Sequence, residues 1–170
     1  MKKVLSFVAI ILMFGCSSHS NKDVFKEARQ HLSRQEFPEA VSNLKEILST
    51  NPDKETAFKA ALEIAKVYHA HAIKSISNDE SLKIAVEYYK RANKIDPQAE
   101  EAPKALFLAG FIEANELNDL TAARATYNKF IKMYPDNPMV ESAKKEIQNL
   151  GVPPEKIIEK SLAPNELKKR

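Results

Sequence analysis

The chain has little cysteine and little glycine, and each shortage excludes a kind of protein. Cys16 is the only cysteine among 170 residues, so no disulfide can form within the chain. The three glycines, Gly15, Gly110 and Gly151, form no glycine-rich loop of the kind that holds phosphate. Residues branched at Cβ never cluster into alternating runs, whereas alanine, lysine, glutamate and leucine are frequent. This composition predicts an all-α protein.

The chain also lacks a strong excess of either charge. Its net charge of +3 reflects 26 basic and 23 acidic residues. Lys2 and Lys3 precede an apolar run at the start, and without them 24 basic residues (26 − 2) stand against 23 acidic ones. This balance does not point to a nucleic-acid partner.

The first fifteen residues have the pattern of an export leader. Two lysines are followed by residues 4–14, which are mostly apolar. A membrane-spanning helix needs roughly 18 or more apolar residues, so this run is typical of a signal peptide instead. The run ends in Gly15-Cys16, which resembles the lipobox of bacterial lipoproteins.

That resemblance implies a signal peptide at 1–15, a lipid on Cys16, and a lipidated tether at 16–21. By the sorting rule of such lipoproteins, Ser17 after the cysteine implies the outer membrane, with the protein facing the periplasm. Several acyl chains hold a protein firmly, since each buried methylene adds about 0.8 kcal/mol. The alternative is an ordinary secretory leader that contains an incidental cysteine.

Three segments of the chain end in the same spaced pattern before a proline. Twelve residues before each proline stands alanine, eight before it a larger residue, and five before it another packing residue. The sets are Ala40, Leu44, Ile47 and Pro52, then Ala85, Tyr89, Ala92 and Pro97, then Ala123, Tyr127, Phe130 and Pro135. The alanine allows two helices to approach closely, the larger residues fill the space between helix pairs, and the proline ends the helix.

This pattern resembles the second helix of the tetratricopeptide repeat. The resemblance implies a TPR-like α-solenoid of three antiparallel helical hairpins plus a C-terminal capping helix. Ala28 and Ala65 take the small positions of the first helices in repeats one and two. Residues 54 to about 77 are predicted to form one long helix.

The resemblance also divides the chain. The repeat domain is predicted at 22–150, with repeats at about 22–52, 53–97 and 98–135 and the cap at 138–150. Residues 151–170, which contain three prolines, are predicted to be a disordered tail, apart from a short helical turn near 155–162.

Within that broad family, residues 127–138 resemble an envelope subset. The run Tyr-Asn-Lys-Phe-Ile-Lys-Met-Tyr-Pro-Asp-Asn-Pro is similar to runs in the lipoprotein of the outer-membrane β-barrel assembly machine (the BamD type) and in the coordinator of the Tol–Pal system. The resemblance implies a non-enzymatic scaffold for protein–protein interaction in an outer-membrane complex. A Tol–Pal-type or pilotin-type periplasmic adaptor is the alternative.

Candidate chemistry is sparse in this sequence. His69 and His71 are two residues apart, so on a helix they point in different directions and do not ligate one metal. Acidic pairs such as Glu100-Glu101 suit the first turn of a helix, where they favour its dipole. We therefore predict no enzymatic activity, no metal and no cofactor.

Projecting the repeat onto the first helices predicts a partner-binding groove. It is expected to be basic near the membrane and apolar at the other end, which suits an extended peptide or a helix that carries acidic and apolar residues. The alternative is that these lysines are only a solvated face. The predicted lining is Lys22, Phe25, Arg29, Lys59, Leu62, Lys66, Leu108 and Ile112.

Overall fold

The computed structural model describes residues 20–162, and this part of the chain contains helices and no strands. The eight helices are α1 (Asn21–Ser33), α2 (Phe37–Ser49), α3 (Lys54–His69), α4 (Asn78–Ile95), α5 (Ala102–Asn115), α6 (Leu120–Met133), α7 (Val140–Asn149) and α8 (Pro154–Leu162). Consecutive helices from α1 to α7 pack against one another. The all-α, TPR-like helical-repeat solenoid predicted from the sequence is therefore confirmed.

Capping side chains set where several helices begin. In each case an oxygen of the side chain accepts a hydrogen bond from a backbone amide in the first turn, which would otherwise have no partner. The capping residues are Ser20, Asp53, Ser77 and Asp119. The turn between α5 and α6 also uses Asn118 at φ 51°, a conformation that asparagine tolerates well.

The second helix of each hairpin ends shortly before its proline. α2 ends at Ser49, α4 at Ile95 and α6 at Met133. The alanines twelve residues before the prolines, Ala40, Ala85 and Ala123, are fully buried. The residues at the next two positions of the pattern, eight and five before each proline, are also buried, at equivalent places in each hairpin. They are Leu44, Tyr89 and Tyr127, then Ile47, Ala92 and Phe130.

The buried residues form two hydrophobic clusters. The first runs from α1 to α5 and includes Ala28 and Ala65, both fully buried. The second lies between α5, α6 and α7 and contains Tyr127, Phe130 and Val140. Helix α5 contributes to both clusters, so it joins the first two hairpins to the third.

Two polar side chains link successive hairpins inside the stack. Asn93 in α4 donates to the carbonyl of Ala102, 3.1 Å away, and to the hydroxyl of Tyr134. The Tyr134 hydroxyl in turn donates to the carbonyl of Pro97 at 3.0 Å. The end of α4 is thereby held next to the end of α6.

A buried carboxylate provides a second link. Glu113 in α5 is almost fully buried, and its Oε1 accepts from Lys90 Nζ of α4 at 2.5 Å. Its Oε2 accepts from Thr126 Oγ1 of α6 at 2.6 Å. A buried charge is tolerated when it is paired and hydrogen-bonded, and here both conditions are met.

The single long helix predicted from 54 to about 77 is wrong. Helix α3 ends at His69, and α4 begins only at Asn78. Ser77 caps α4, and Ser81 Oγ donates to the carbonyl of Tyr68 at 2.6 Å, which turns the chain back on itself. The extra length of this repeat is therefore divided between a connection, residues 70–77, and an α4 of 18 residues.

The two ends of the repeat domain compare differently with the sequence expectation. Asn21 belongs to α1 and not to the tether. After α7, Gly151 adopts φ +77°, and the chain then forms α8, where a short helical turn near 155–162 was predicted within the tail. Glycine adopts this left-handed conformation without strain, so it ends α7 and redirects the chain. Residues 163–170 of the predicted tail lie outside the described residues.

Candidate functional site

The candidate site is a groove along the outward faces of the first helices α1, α3 and α5. Lys22, Phe25 and Arg29 from α1 lie beside Lys59 of α3 around a cavity of about 620 Å³. The next cavity, of about 510 Å³, shares Phe25, Arg29 and Lys59 and adds Leu62.

A third cavity extends the groove to α5. Its volume is about 200 Å³, and Leu62, Lys66, Lys104 and Leu108 line it. Because adjoining cavities share lining residues, they form one continuous surface across α1, α3 and α5, the first helices of the three repeats. We call this surface the groove.

Pairing with carboxylates neutralises much of the predicted basic character of the groove. Lys59 pairs with Glu55, and Lys66 Nζ lies 3.0 Å from Glu63 Oε1 and 3.5 Å from Glu101 Oε1. Burial acts to lower the pKa of Lys66, but Glu63 and Glu101 outweigh burial and hold that pKa above its usual value. The groove therefore has mixed charge.

Arg29 is a cation of the groove that is not paired in this way. It is exposed, and no carboxylate among residues 20–162 forms an ion pair with it. An arginine presents a planar group of donors that matches a carboxylate. Arg29 is thus available to a carboxylate of a partner, and so are Lys22 and Lys104, which form no ion pair among residues 20–162 either.

The apolar end of the groove differs by one residue from the prediction. Ile112 is fully buried in the first hydrophobic cluster, so its assignment to the groove lining is wrong. Phe111, one residue earlier, is 38% exposed. It lies one turn beyond Leu108 and two turns beyond Lys104 on the same face of α5. Leu108 thus lines the groove, whereas Ile112, one turn further along α5, does not.

A hydrogen-bonded chain lies beside the groove at the end of α3. His69 Nδ1 is 3.3 Å from the hydroxyl of Tyr89, and His69 Nε2 is 3.1 Å from Glu116 Oε1. These contacts join α3, α4 and α5 at one end of the groove. Burial, followed by the nearby charges of Glu63 and Glu116, raises the pKa of Tyr89 to about 12.

Residues of this surface that sequence reasoning missed include Lys104, Glu63 and Glu101. Glu63 lies in α3, and Glu101 is the residue directly before α5. Each of them contacts Lys66. Glu63 lies three residues before Lys66, and that spacing on a helix could have predicted the pair. Glu101 is distant in sequence, so only the stacking of α5 on α3 reveals its role.

The predicted lipid site, Cys16, lies outside the described residues. Within residues 20–162, no helix combines the length and apolar character that crossing a membrane requires. The same part of the chain contains no cluster of three histidine, cysteine, aspartate or glutamate side chains suited to a metal ion.

Comparison with known protein families identifies the type of repeat in one hairpin. Residues 104–137 match the tetratricopeptide repeat family, and this segment runs from the start of α5 to just beyond α6. The matched segment is thus the third hairpin of the solenoid. No curated protein matches the chain.

The match and the fold together define a class of function. Tetratricopeptide repeats generally bind protein partners, and such solenoids typically act as scaffolds. The molecule is therefore a helical-repeat protein whose architecture is that of a protein-interaction scaffold.

Proposed function

We propose that this chain is a lipid-anchored scaffold of a bacterial envelope, which binds a segment of a partner protein in the groove within an outer-membrane complex. The groove carries this proposal, because it is continuous across three repeats and presents Arg29, which forms no ion pair within the described residues 20–162. The lipobox resemblance at Gly15-Cys16 supports the anchor, and the similarity of residues 127–138 to β-barrel assembly lipoproteins supports the kind of complex.

The lining of the groove specifies the partner further. Phe25, Leu108 and the nearly buried Leu62 supply its apolar lining, with Arg29 near Phe25. Phe111 is exposed one turn beyond Leu108 on α5. A partner segment with apolar side chains along one face and a carboxylate at one end complements this arrangement. The paired lysines contribute less, because a partner would have to displace the carboxylates that already hold them.

Two substitutions test the groove. Arg29→Glu reverses the charge of an unpaired cation in the groove, and Phe111→Ala removes an exposed aromatic ring. Each substitution should reduce capture of the partner by at least about fivefold. Capture is measured by affinity purification from detergent-solubilised envelopes with quantitative mass spectrometry. Met133→Ala is the matched control, since Met133 is an equally exposed apolar residue on α6. Equal recovery of the same proteins with all three variants would contradict the proposed groove.

A third substitution tests the anchor. Cys16→Ala removes the thiol that would carry the lipid, so the protein should move from the membrane fraction to the soluble fraction of the envelope. Fractionation and incorporation of labelled palmitate measure this result. Unchanged sedimentation together with unchanged labelling would show that Cys16 is not lipidated.

The proteins recovered in the capture experiment also separate the two envelope assignments. Subunits of the β-barrel assembly machine would support the proposed complex. Components of the Tol–Pal system or of a pilus would support the adaptor alternative.

A further inference from the structure

The outer face of the solenoid carries exposed cations at repeating positions. Six and three residues before Pro97 stand Arg91 and Lys94, and at the same distances before Pro135 stand Lys129 and Lys132. All four are exposed, on the second helices α4 and α6. The cavities of the groove are lined chiefly by residues of the first helices, and none of these four cations lines them. We call these four residues the basic face.

The basic face has few acids among its cations, although Asp96 and Asp136 closely follow the two helices and Asp96 pairs with Lys54. Among residues 20–162, none of its four members forms an ion pair. Helix α6 contains no aspartate or glutamate, and the acidic residues of α4, at 79, 80 and 87, all precede its last two turns.

Helix stability alone does not account for these cations. A basic residue in the last turn favours the helix dipole, and this applies to Lys94 and Lys132. Helix α2, however, has no basic residue in its last turn, and its equivalent positions hold Glu46 and Ser49. The basic face is therefore a feature of repeats two and three only.

Contacts inside the stack bring the C-terminal ends of the two helices near each other. Asn93 of α4 binds the hydroxyl of Tyr134, which directly follows α6, and Glu113 of α5 bridges Lys90 of α4 and Thr126 of α6. The cations of the two helices therefore belong to the same region of the solenoid.

The position of the N-terminus relates the basic face to the membrane. Thr50 Oγ1 donates to Asn21 Oδ1 at 2.8 Å, which fixes the start of α1 beside the end of α2. Lys54 Nζ lies 2.9 Å from Asp96 Oδ1, which places the start of α3 beside the end of α4. The chain thus enters the solenoid at the edge where the second helices end, and Lys94 and Lys132 lie at that edge. From Cys16, four residues lead to Ser20, a distance of at most about 14 Å.

We propose that the basic face binds the anionic phospholipid surface of the membrane that holds the anchor, so that the groove opens away from the bilayer. The location of the membrane rests on the lipid anchor proposed above. A short tether keeps the cations close to the headgroups, and screening in physiological salt acts over about 8 Å, so only a face held this near is attracted. Each lysine or arginine near an anionic bilayer strengthens binding about fivefold.

The test uses residues 16–170 without a lipid, with Cys16→Ser, which contain every described residue. Sedimentation with vesicles of phosphatidylglycerol and phosphatidylcholine is compared with sedimentation with phosphatidylcholine alone. The protein should bind only the anionic vesicles. The variant Lys94→Glu, Lys129→Glu, Lys132→Glu should bind them at least about tenfold more weakly.

A matched variant controls for total charge. Lys26→Glu, Arg34→Glu and Lys145→Glu change the charge equally, but these three exposed residues lie outside α4, α6 and the groove. This variant should retain most of the binding, and circular dichroism should show all three proteins equally helical. Equal loss in both variants, or equal binding to neutral vesicles, would overturn the proposal.

Orientation supplies a second readout that total charge does not affect. A fluorophore at Ala125→Cys on α6 should be quenched by spin-labelled lipid headgroups, whereas one at Ser33→Cys beside the groove should not. Stronger quenching at residue 33 would overturn the proposed orientation. Because this protein carries no lipid, these results do not depend on the palmitate experiment, and each proposal can fail without the other.

Discussion

At the scale of single residues, a buried and a partly buried tyrosine of the third hairpin, Tyr127 and Tyr134, differ in the hydrogen bonds of their hydroxyls. The Tyr134 hydroxyl accepts from Asn93 and donates to Pro97. The Tyr127 hydroxyl is buried without a hydrogen-bond partner among the described residues. The two rings pack in the same helical pair, so their hydroxyls can be compared directly.

We expect opposite results from removing these two hydroxyls. Tyr134→Phe should lower the free energy of unfolding by about 1–2 kcal/mol, because two hydrogen bonds between hairpins are lost. Tyr127→Phe should change it by less than about 0.5 kcal/mol or raise it, since the buried hydroxyl no longer has to be desolvated. Urea denaturation followed by circular dichroism measures both. A larger loss for Tyr127→Phe than for Tyr134→Phe would contradict this account.

The residue scale also shows where sequence reasoning lost accuracy. Leu62 and Leu108 were placed in the groove from spacing alone, and both line it. Ile112 was assigned there in error, because α5 is apolar on nearly every side and its pattern does not reveal which face is buried. Gly110 shows which side of α5 is buried against α6. A Cβ at this position would lie 3.0 Å from the Tyr127 ring, so this side of α5 faces α6.

At the scale of the helices, the spacing of small residues sets how closely each hairpin closes. Ala123 in α6 is fully buried, whereas Ala125 on the same helix is exposed. The two alanines therefore have the same local propensity and different surroundings.

This pair gives a controlled test of helix packing. Ala123→Phe should destabilise the protein by about 1–3 kcal/mol, because a large ring does not fit where the helices meet. Ala125→Phe should have little effect, since its side chain points to solvent. Thermal melting followed at a helical wavelength measures both variants. Equal melting temperatures would show that α6 does not pack through Ala123.

The helices themselves were largely predictable, whereas some of their connections were not. The prolines and the alanine spacing located the second helices, because those signals are local. The connection 70–77 was predicted as helix, since its alanines and isoleucines continue an apolar pattern. It leaves the helix because Ser77 caps α4 and Ser81 binds the carbonyl of Tyr68, and contacts of this kind depend on the fold of the hairpin.

At the scale of the whole molecule, buried tyrosines tie stability to alkaline pH. Tyr89 has a pKa of about 12 because of burial and the nearby charges of Glu63 and Glu116. Burial and the charges of Glu146 and Glu113 raise the pKa of Tyr127 as well. The folded protein therefore keeps these protons where the unfolded chain, with a tyrosine pKa near 10.0, has released them.

Because the folded state keeps the proton of Tyr89, the free energy of unfolding depends on pH. The contribution of Tyr89 is fully present below about pH 10 and should fall by roughly 1–3 kcal/mol as the pH rises towards 12. Urea denaturation at increasing pH, with tyrosinate absorbance in the near ultraviolet, measures the loss. Tyr89→Phe should flatten this part of the profile. An unchanged slope in that variant would mean that Tyr89 does not contribute.

The division of the hydrophobic residues into two clusters has a consequence for how the structure opens. The second cluster depends on α7, whose Val140 and Ala143 cover Tyr127 and Phe130 from one side only. The first cluster extends over five helices and needs no contribution from α7. In a linear array, a terminal unit has one neighbour instead of two, so it separates at lower cost. Amide hydrogens in α7 should therefore exchange with deuterium well before those of α3, and fraying should proceed inward from the C-terminal side.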